Sequence, residues 1–192
     1  YCLVAENGNY TMSSTTDIAT NNWNKQTVAF TFKPDVNSLT ATDKALFVLD
    51  ANGNLHKSTD GGINWTTTGN KYSSLIAGYG DTLLAVAASE SGYFTVALTD
   101  NGTETKTAAP KEFPVKGFSQ AFKYNSDWGT SEMLFMVGGE MADGNYTGAT
   151  WGYDGKNWAS TSNRQLPKLT GITLVPYYYF QRTEHGDYDK YP

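Results

Sequence analysis

The sequence predicts an all-β protein assembled from repeated antiparallel units, and three observations carry that prediction. Its 192 residues include 13 Tyr, five Trp and 19 Gly, a composition that leans toward strands and tight turns. A hairpin pattern in Cys2–Thr11 returns 45 residues later in Leu46–His56. Downstream of the second hairpin, Ser58-Thr59-Asp60-Gly61-Gly62-Ile63-Asn64-Trp65 combines residue types that demand one turn: Asp60 can accept backbone N–H groups just downstream, the glycines admit positive φ, and Trp65 restarts an apolar strand. No stretch reads as a long amphipathic helix.

In the first unit, strand patterns flank Asn7-Gly8-Asn9, and Asn-Gly favours a type I′ hairpin because that turn needs positive φ at two successive residues. Cys2 stands where Phe47 stands in the second unit and reads as a small core residue. A polar turn holding Asp17 then leads to Trp23. The second unit opens with a strand predicted over Asp35–Ala41, turns at Asn52-Gly53-Asn54 and proceeds to Ser58–Trp65; His56 reads as an ordinary strand residue. In the third, the strand Ser73–Gly78 precedes a hairpin of Leu83–Ser89 and Tyr93–Thr99, and Thr99-Asp100-Asn101-Gly102 stands where Ser58 to Gly62 stood. The fourth runs through Val115–Tyr124, Met133-Leu134-Phe135-Met136-Val137-Gly138-Gly139, Asp143-Gly144-Asn145 and Thr150–Trp158.

Four strands in each unit of about 40 to 50 residues make the blade of a β-propeller. The expected blades are 1–32, 33–69, 70–109 and 110–165, with 166–192 starting or closing a further one. Leu169–Val175 reads as one more inner strand. It either pairs with the first unit, which lacks its inner strand, and closes a ring of four, or belongs to a ring larger than this chain. The larger ring is the expectation, and an incomplete one should self-associate through uncovered strand edges.

The pattern Ser58-x-Asp60-x-Gly62-x-x-Trp65 resembles the Asp-box, or BNR repeat, of sialidase-type propellers, and Gly138-Gly139, Tyr153 and Trp158 follow one another much as in a kelch repeat. The chain is similar to secreted or surface-anchored propellers of gut bacteria. The resemblance implies that these eight residues are structural, placed at the periphery of their blades. It also implies a test of enzymatic function. Sialidases hold the substrate carboxylate with three arginines and use a Tyr nucleophile with a Glu partner, whereas this chain has only Arg164 and Arg182.

Other classes fall on composition. The net charge of −5 comes without a basic stripe, which excludes a nucleic-acid surface. The longest apolar runs, Ala45–Leu49, Leu83–Ala88 and Met133–Val137, are strand-sized, so no membrane-spanning helix is expected. A single Cys excludes an internal disulfide framework and a cysteine-based zinc site. The chain begins inside a strand pattern, so an export signal would lie outside it; the polar Thr/Asn-rich strands point to a location outside the cytoplasm.

No residue is assigned as catalytic, and neither a metal nor a cofactor is expected. Glu140 with Asp143, Asp127 with Glu132, or Asp81 with Glu90 could supply paired carboxylates, but all read as solvated loop charges. His185 lies among carboxylates in a polar terminal loop. The candidate ligand-contacting residues are aromatic and polar loop positions: Trp128 with Asp127, Tyr146 and Tyr177, where rings would cover apolar ligand faces and polar groups would take hydroxyls. The reading is a non-enzymatic binding or interaction module outside the cytoplasm, for a glycan or a protein. The alternative is part of a glycosidase-type propeller whose catalytic site needs blades absent from this chain.

Overall fold

The computed structural model describes residues 1–20, 22–125, 130–160, 167–168, 179–182 and 188–191. It divides into two units, Tyr1–Ala109 and Pro110–Pro192. Both consist of antiparallel sheets whose strands are neighbours in sequence, as short turns between alternating apolar and polar residues require.

The first unit holds three sheets. Strands β1 (Cys2–Glu6), β2 (Asn9–Ser14) and β3 (Asn24–Val28) form one, with β1 at its edge. The second contains β4 (Thr40–Ala41), β5 (Leu46–Leu49), β6 (Asn54–Ser58) and β7 (Thr66–Lys71), and the third β8 (Ser74–Tyr79), β9 (Thr82–Ser89), β10 (Gly92–Thr99) and β11 (Glu104–Ala108). The other unit holds a four-stranded sheet of β12 (Ser119–Asn125), β13 (Thr130–Val137), β14 (Thr150–Tyr153) and β15 (Trp158–Ser160), and a two-stranded pair, β16 (Tyr179–Arg182) and β17 (Tyr188–Tyr191).

The period of two along β5 explains how the first unit is welded. All four residues of this strand are buried, and successive side chains point to opposite faces. Leu46 and Val48 join Leu3, Met12 and Val28 of the first sheet; Phe47 and Leu49 join Leu55, Leu83, Ala85, Val96 and Leu98 of the second and third. Each such side chain contributes roughly 1.5–3 kcal/mol through burial. A strand with apolar residues on both faces is what a sheet sandwiched between two others needs.

Four local expectations are corrected. Asp35–Ala41 is not one strand: the Asp35 carboxylate accepts the Asn37 N–H at 3.1 Å and its carbonyl accepts the Ser38 N–H at 3.0 Å, winding Val36–Ser38 into a 3-10 turn and leaving only Thr40–Ala41 extended. The strand expected from Val115 begins at Ser119, because Gly117, at φ 65°, breaks the extension; Val115 and Lys116 instead bond the backbone of Glu140. Asn7-Gly8 is the type I′ turn, with φ of 50° and 80°. At the second hairpin, however, only Gly53 has positive φ, since the Asp50 carboxylate takes the N–H groups of Asn52 and Asn54 and shapes a longer turn. Finally, Cys2 is exposed rather than in the core, because it alternates with Leu3, the one buried residue of β1, and so points to the opposite face.

Candidate functional site

In a meander of four antiparallel strands the connections alternate between the two ends of the sheet. One end of the first unit therefore gathers the hairpin turns β1–β2 and β5–β6 and the connections into β4 and β8. The other gathers the turns β4–β5, β6–β7, β8–β9 and β10–β11.

At the first end lies a cleft of about 510 Å³, within the range of roughly 300–1,000 Å³ usual for small-molecule sites. Ala5 and Tyr10 line it from the first sheet, Lys33, Pro34, Asp35 and Val36 from the approach to β4, Leu49, Asp50, Ala51 and Gly53 from the β5–β6 turn, and Ser73 from the start of β8. Its walls are tied together by backbone bonds: Asp35 N–H to Leu49 O at 2.7 Å, Ala51 N–H to Lys33 O at 3.3 Å and Tyr72 N–H to Gly53 O at 2.9 Å. The Ser38 hydroxyl adds a brace, donating to Asp35 O and accepting the Leu49 N–H. A Cβ on Gly53 would stand 2.6 Å from Tyr72 O, so this turn fits against the β7–β8 connection only because glycine occupies it.

Beneath the cleft runs a ladder of rings. Tyr10 meets Phe30 edge-on at 5.1 Å, Phe30 meets Phe32 at 5.0 Å, and Phe32 stacks on His56 with centroids 3.4 Å apart. His56 is buried, with Nε2 3.4 Å from Asp50 Oδ2 and Nδ1 3.1 Å from Thr67 Oγ1. Burial works against the Asp50 charge, but bonds from the Asn54 side chain and backbone, Asn52 N–H and His56 outweigh it and lower its pKa to about 2. Asp50 is thus a fixed anion whose acceptor sites are filled, unsuited to donating or accepting a proton near neutrality.

A family model, that of the DUF6242 beta propeller domain, matches residues 1–181. The chain belongs to that family. No curated protein matches it. The sheets described above are consistent with part of a DUF6242 propeller, and the description of the family is one of fold.

The motif that organised the sequence lies at the opposite end of the first unit from the cleft. Ser58, buried, donates its hydroxyl hydrogen to Asp60 Oδ1 at 2.8 Å and accepts the Gly62 N–H at 2.9 Å. Asp60 Oδ1 accepts the N–H groups of Ile63 and Asn64, and Oδ2 the Asn64 side-chain amide; the Asn64 bonds lead in holding its pKa at about 2. Gly61 and Gly62, at φ 75° and 92°, allow the backbone to wrap around that carboxylate. Trp65 donates its indole N–H to Gly62 O at 2.9 Å and packs on the Leu3, Met12 and Leu46 cluster. In the second unit of the chain, Gly138 and Gly139 also have positive φ, and Tyr153, Trp158 and Phe113 form a ring cluster with centroids 5.0–5.1 Å apart.

Asp caps of this kind recur in other turns: Asp17 Oδ1 accepts the Ala19 N–H, Asp143 Oδ1 that of Asn145, and Asp154 Oδ1 those of Lys156 and Asn157. Asp100 departs from the pattern. Asn101 caps its turn by accepting the Thr103 N–H, while the Asp100 carboxylate reaches Lys44 and Lys57 of the second sheet at 3.7 and 3.8 Å. Lys44 also pairs with Asp81.

Of the predicted ligand-contacting residues, Asp127, Trp128 and Tyr177 lie outside the described residues. Tyr146 is exposed, between Asn145 and the buried Thr147 that bonds Gly139 O. Among the carboxylate pairs, Asp81 and Glu90 sit at opposite ends of the eight-residue β9, roughly 25 Å apart, and cannot share a substrate bond. Glu140 pairs with Lys116 at 3.0 Å, and Asp143 is held low by the Asn145 amide and backbone. Asp127 lies outside the described residues, as does His185. Among the described residues no group of three or more His, Cys, Asp or Glu side chains could hold a metal ion, and no helix is long and apolar enough to cross a membrane.

Sequence reasoning missed the cleft. Its signal was present but scattered: Tyr10, the Lys33-Pro34-Asp35 run and Asp50 are far apart in sequence, and only the alternation of turns brings them to one end.

Proposed function

We propose that this chain is a non-enzymatic binding module that works outside the cytoplasm and takes a glycan or a protein segment as ligand. The observation that carries the reading is the pre-built cleft lined by Tyr10, Lys33, Asp35 and Ser73, with walls locked by backbone bonds. Such a site offers a ligand shape and hydrogen bonds with little reorganisation. Its chemistry supports binding over turnover: a general acid needs a raised pKa, and Asp50 is held at about 2. The Thr- and Asn-rich strands support a location outside the cytoplasm.

The test is an NMR titration of the ¹⁵N-labelled chain with glycan and peptide pools, followed by chromatography of the glycans. Shifts confined to the residues of the cleft, with the glycans recovered intact, are the expected result. Cleavage of a glycan by this chain would overturn the reading in favour of a glycosidase-type propeller.

A further inference from the structure

Resting on that reading, we infer that the cleft takes a neutral glycan, held by the charged groups of Lys33 and Asp35 and covered by the ring of Tyr10. Three observations converge on this ligand class.

The first is which polar groups are free. Every backbone N–H that could have offered a peptide a ladder from Asp35, Asp50, Ala51, Gly53 or Ser73 is already bonded, to Leu49 O, Asn54 O, Lys33 O, Asp50 O and Val86 O respectively. An extended peptide gains its affinity from main-chain bonds along a free edge, and these five residues present none; of the lining, Ala5 belongs to an edge strand, β1. The side chains are different. Asp35 commits Oδ1 to Asn37 N–H, and among the described residues Oδ2 has no partner. The Lys33 ammonium likewise has no partner among the described residues, and both side chains belong to exposed residues. The Ser73 residue is exposed as well, and its hydroxyl can both donate and accept.

The second is their pairing. A sugar hydroxyl is donor and acceptor at once, so neighbouring hydroxyls are matched by a carboxylate that accepts and an ammonium that donates. Bonds with one charged partner are roughly twice as strong as neutral ones, which suits a ligand with no charge of its own. Tyr10 and Val36, both half-buried, supply apolar surface for the C–H faces of the sugar ring.

The third is charge. The lining carries one cation, Lys33, against two carboxylates, Asp35 and Asp50. Asp50 cannot be neutralised near pH 7, since its pKa is about 2. A uronate or sulfated sugar would meet a net negative wall; a neutral one meets no such repulsion.

The experiment titrates the full ¹⁵N-labelled chain with cellohexaose, xylohexaose, mannohexaose and maltohexaose, in parallel with trigalacturonate, a chondroitin sulfate hexasaccharide and an uncharged peptide pool. At least one neutral hexaose is expected to shift the amides of Tyr10, Asp35, Ala51 and Ser73. Asp35→Asn keeps an oxygen to cap the 3-10 turn but removes the charge, and should weaken that hexaose by about 10-fold or more; Lys33→Ala should weaken it by about 3- to 10-fold. Circular dichroism of both variants checks that the fold persists. If an acidic oligosaccharide or the peptides shift these amides and no neutral hexaose does, the neutral-glycan inference is overturned while the binding reading stands. If no probe shifts them, both fall. A neutral hexaose that binds Asp35→Asn and Lys33→Ala as tightly as the native chain also overturns the inference.

Discussion

Gly78 of β8 lies against Ala41 of β4 so closely that a Cβ built on the glycine would stand 1.8 Å from Ala41 O and 2.6 Å from Ala41 C. The inner strands of two neighbouring sheets meet there with backbone against backbone, and no flexible side chain can yield.

Gly78→Ala should therefore destabilise the chain by about 1–3 kcal/mol or more, as overpacking does where nothing relaxes. Gly152→Ala is the control: its Cβ would make only ordinary contacts, 3.6 Å to Met133 Sδ, and its φ is not positive. Urea denaturation of both variants should show a lowered midpoint for the first and a midpoint close to native, or slightly raised, for the second.

Ser58→Ala removes the hydroxyl that joins the Gly62 N–H to Asp60 and leaves a buried donor unpaired. A loss of about 1–2 kcal/mol is expected by thermal denaturation. The indole of Trp65 should become more exposed, seen as a red-shifted emission relative to the same change in a Trp65→Phe background.

Stability should also fall in acid through Asp50 and Asp60. Both have folded pKa values of about 2 against an ordinary value of 3.8. A carboxylate depressed in the folded state binds protons more readily when unfolded, so its contribution is complete above about pH 4 and is lost as pH falls from about 4 to 2. Urea midpoints between pH 5 and 2 should decline over that window, and Asp60→Asn should flatten part of the decline. An unchanged slope in Asp60→Asn would contradict the role given to this carboxylate.

His56→Ala should cost about 2–4 kcal/mol, since it empties a buried site and withdraws one donor from Asp50. Coupling to Phe32 is expected as well: the cycle with Phe32→Leu should show an interaction of about 0.5–1.5 kcal/mol from the stacked rings.

The Asp100 carboxylate, with side-chain exposure of 15%, has no hydrogen-bond partner among the described residues and depends on Lys44 and Lys57 for compensation. Lys57→Met should therefore destabilise more than Asp100→Asn, by about 1–2 kcal/mol against less than about 1, because it leaves the carboxylate with Lys44 alone, which is shared with Asp81, instead of removing the charge. Adding Asp100→Asn to Lys57→Met should recover part of the loss in denaturant melts.

Much of this architecture was legible from local chemistry. The hairpin of β9 and β10, the Asn7-Gly8 turn and the Asp60 turn follow from alternation, from the φ demands of paired turn residues and from a carboxylate within reach of its own backbone. What could not be read was where a local competitor would win. Asp35 ends an apparent strand by capping a 3-10 turn, and Asp50 overrides the type I′ preference of Asn52-Gly53, because one carboxylate oxygen can satisfy two N–H groups in the wider turn. Asp100 looked like a turn cap and is an ion-pair partner, since Asn101 beside it does the capping.

The sequence by itself determined strand order, sheet type and the design of the turns, since each depends on residues a few positions apart. Only the tertiary structure decided which turns share an end. That placement joins Tyr10, Lys33, Asp35, Asp50 and Ser73 in one cleft and sets the Ser58–Trp65 motif at the other end of the same unit. The physical reason is that blade packing is non-local: Leu46 and Val48 bind one neighbour, Phe47 and Leu49 the other, and the cleft is what those two interfaces leave between the turns.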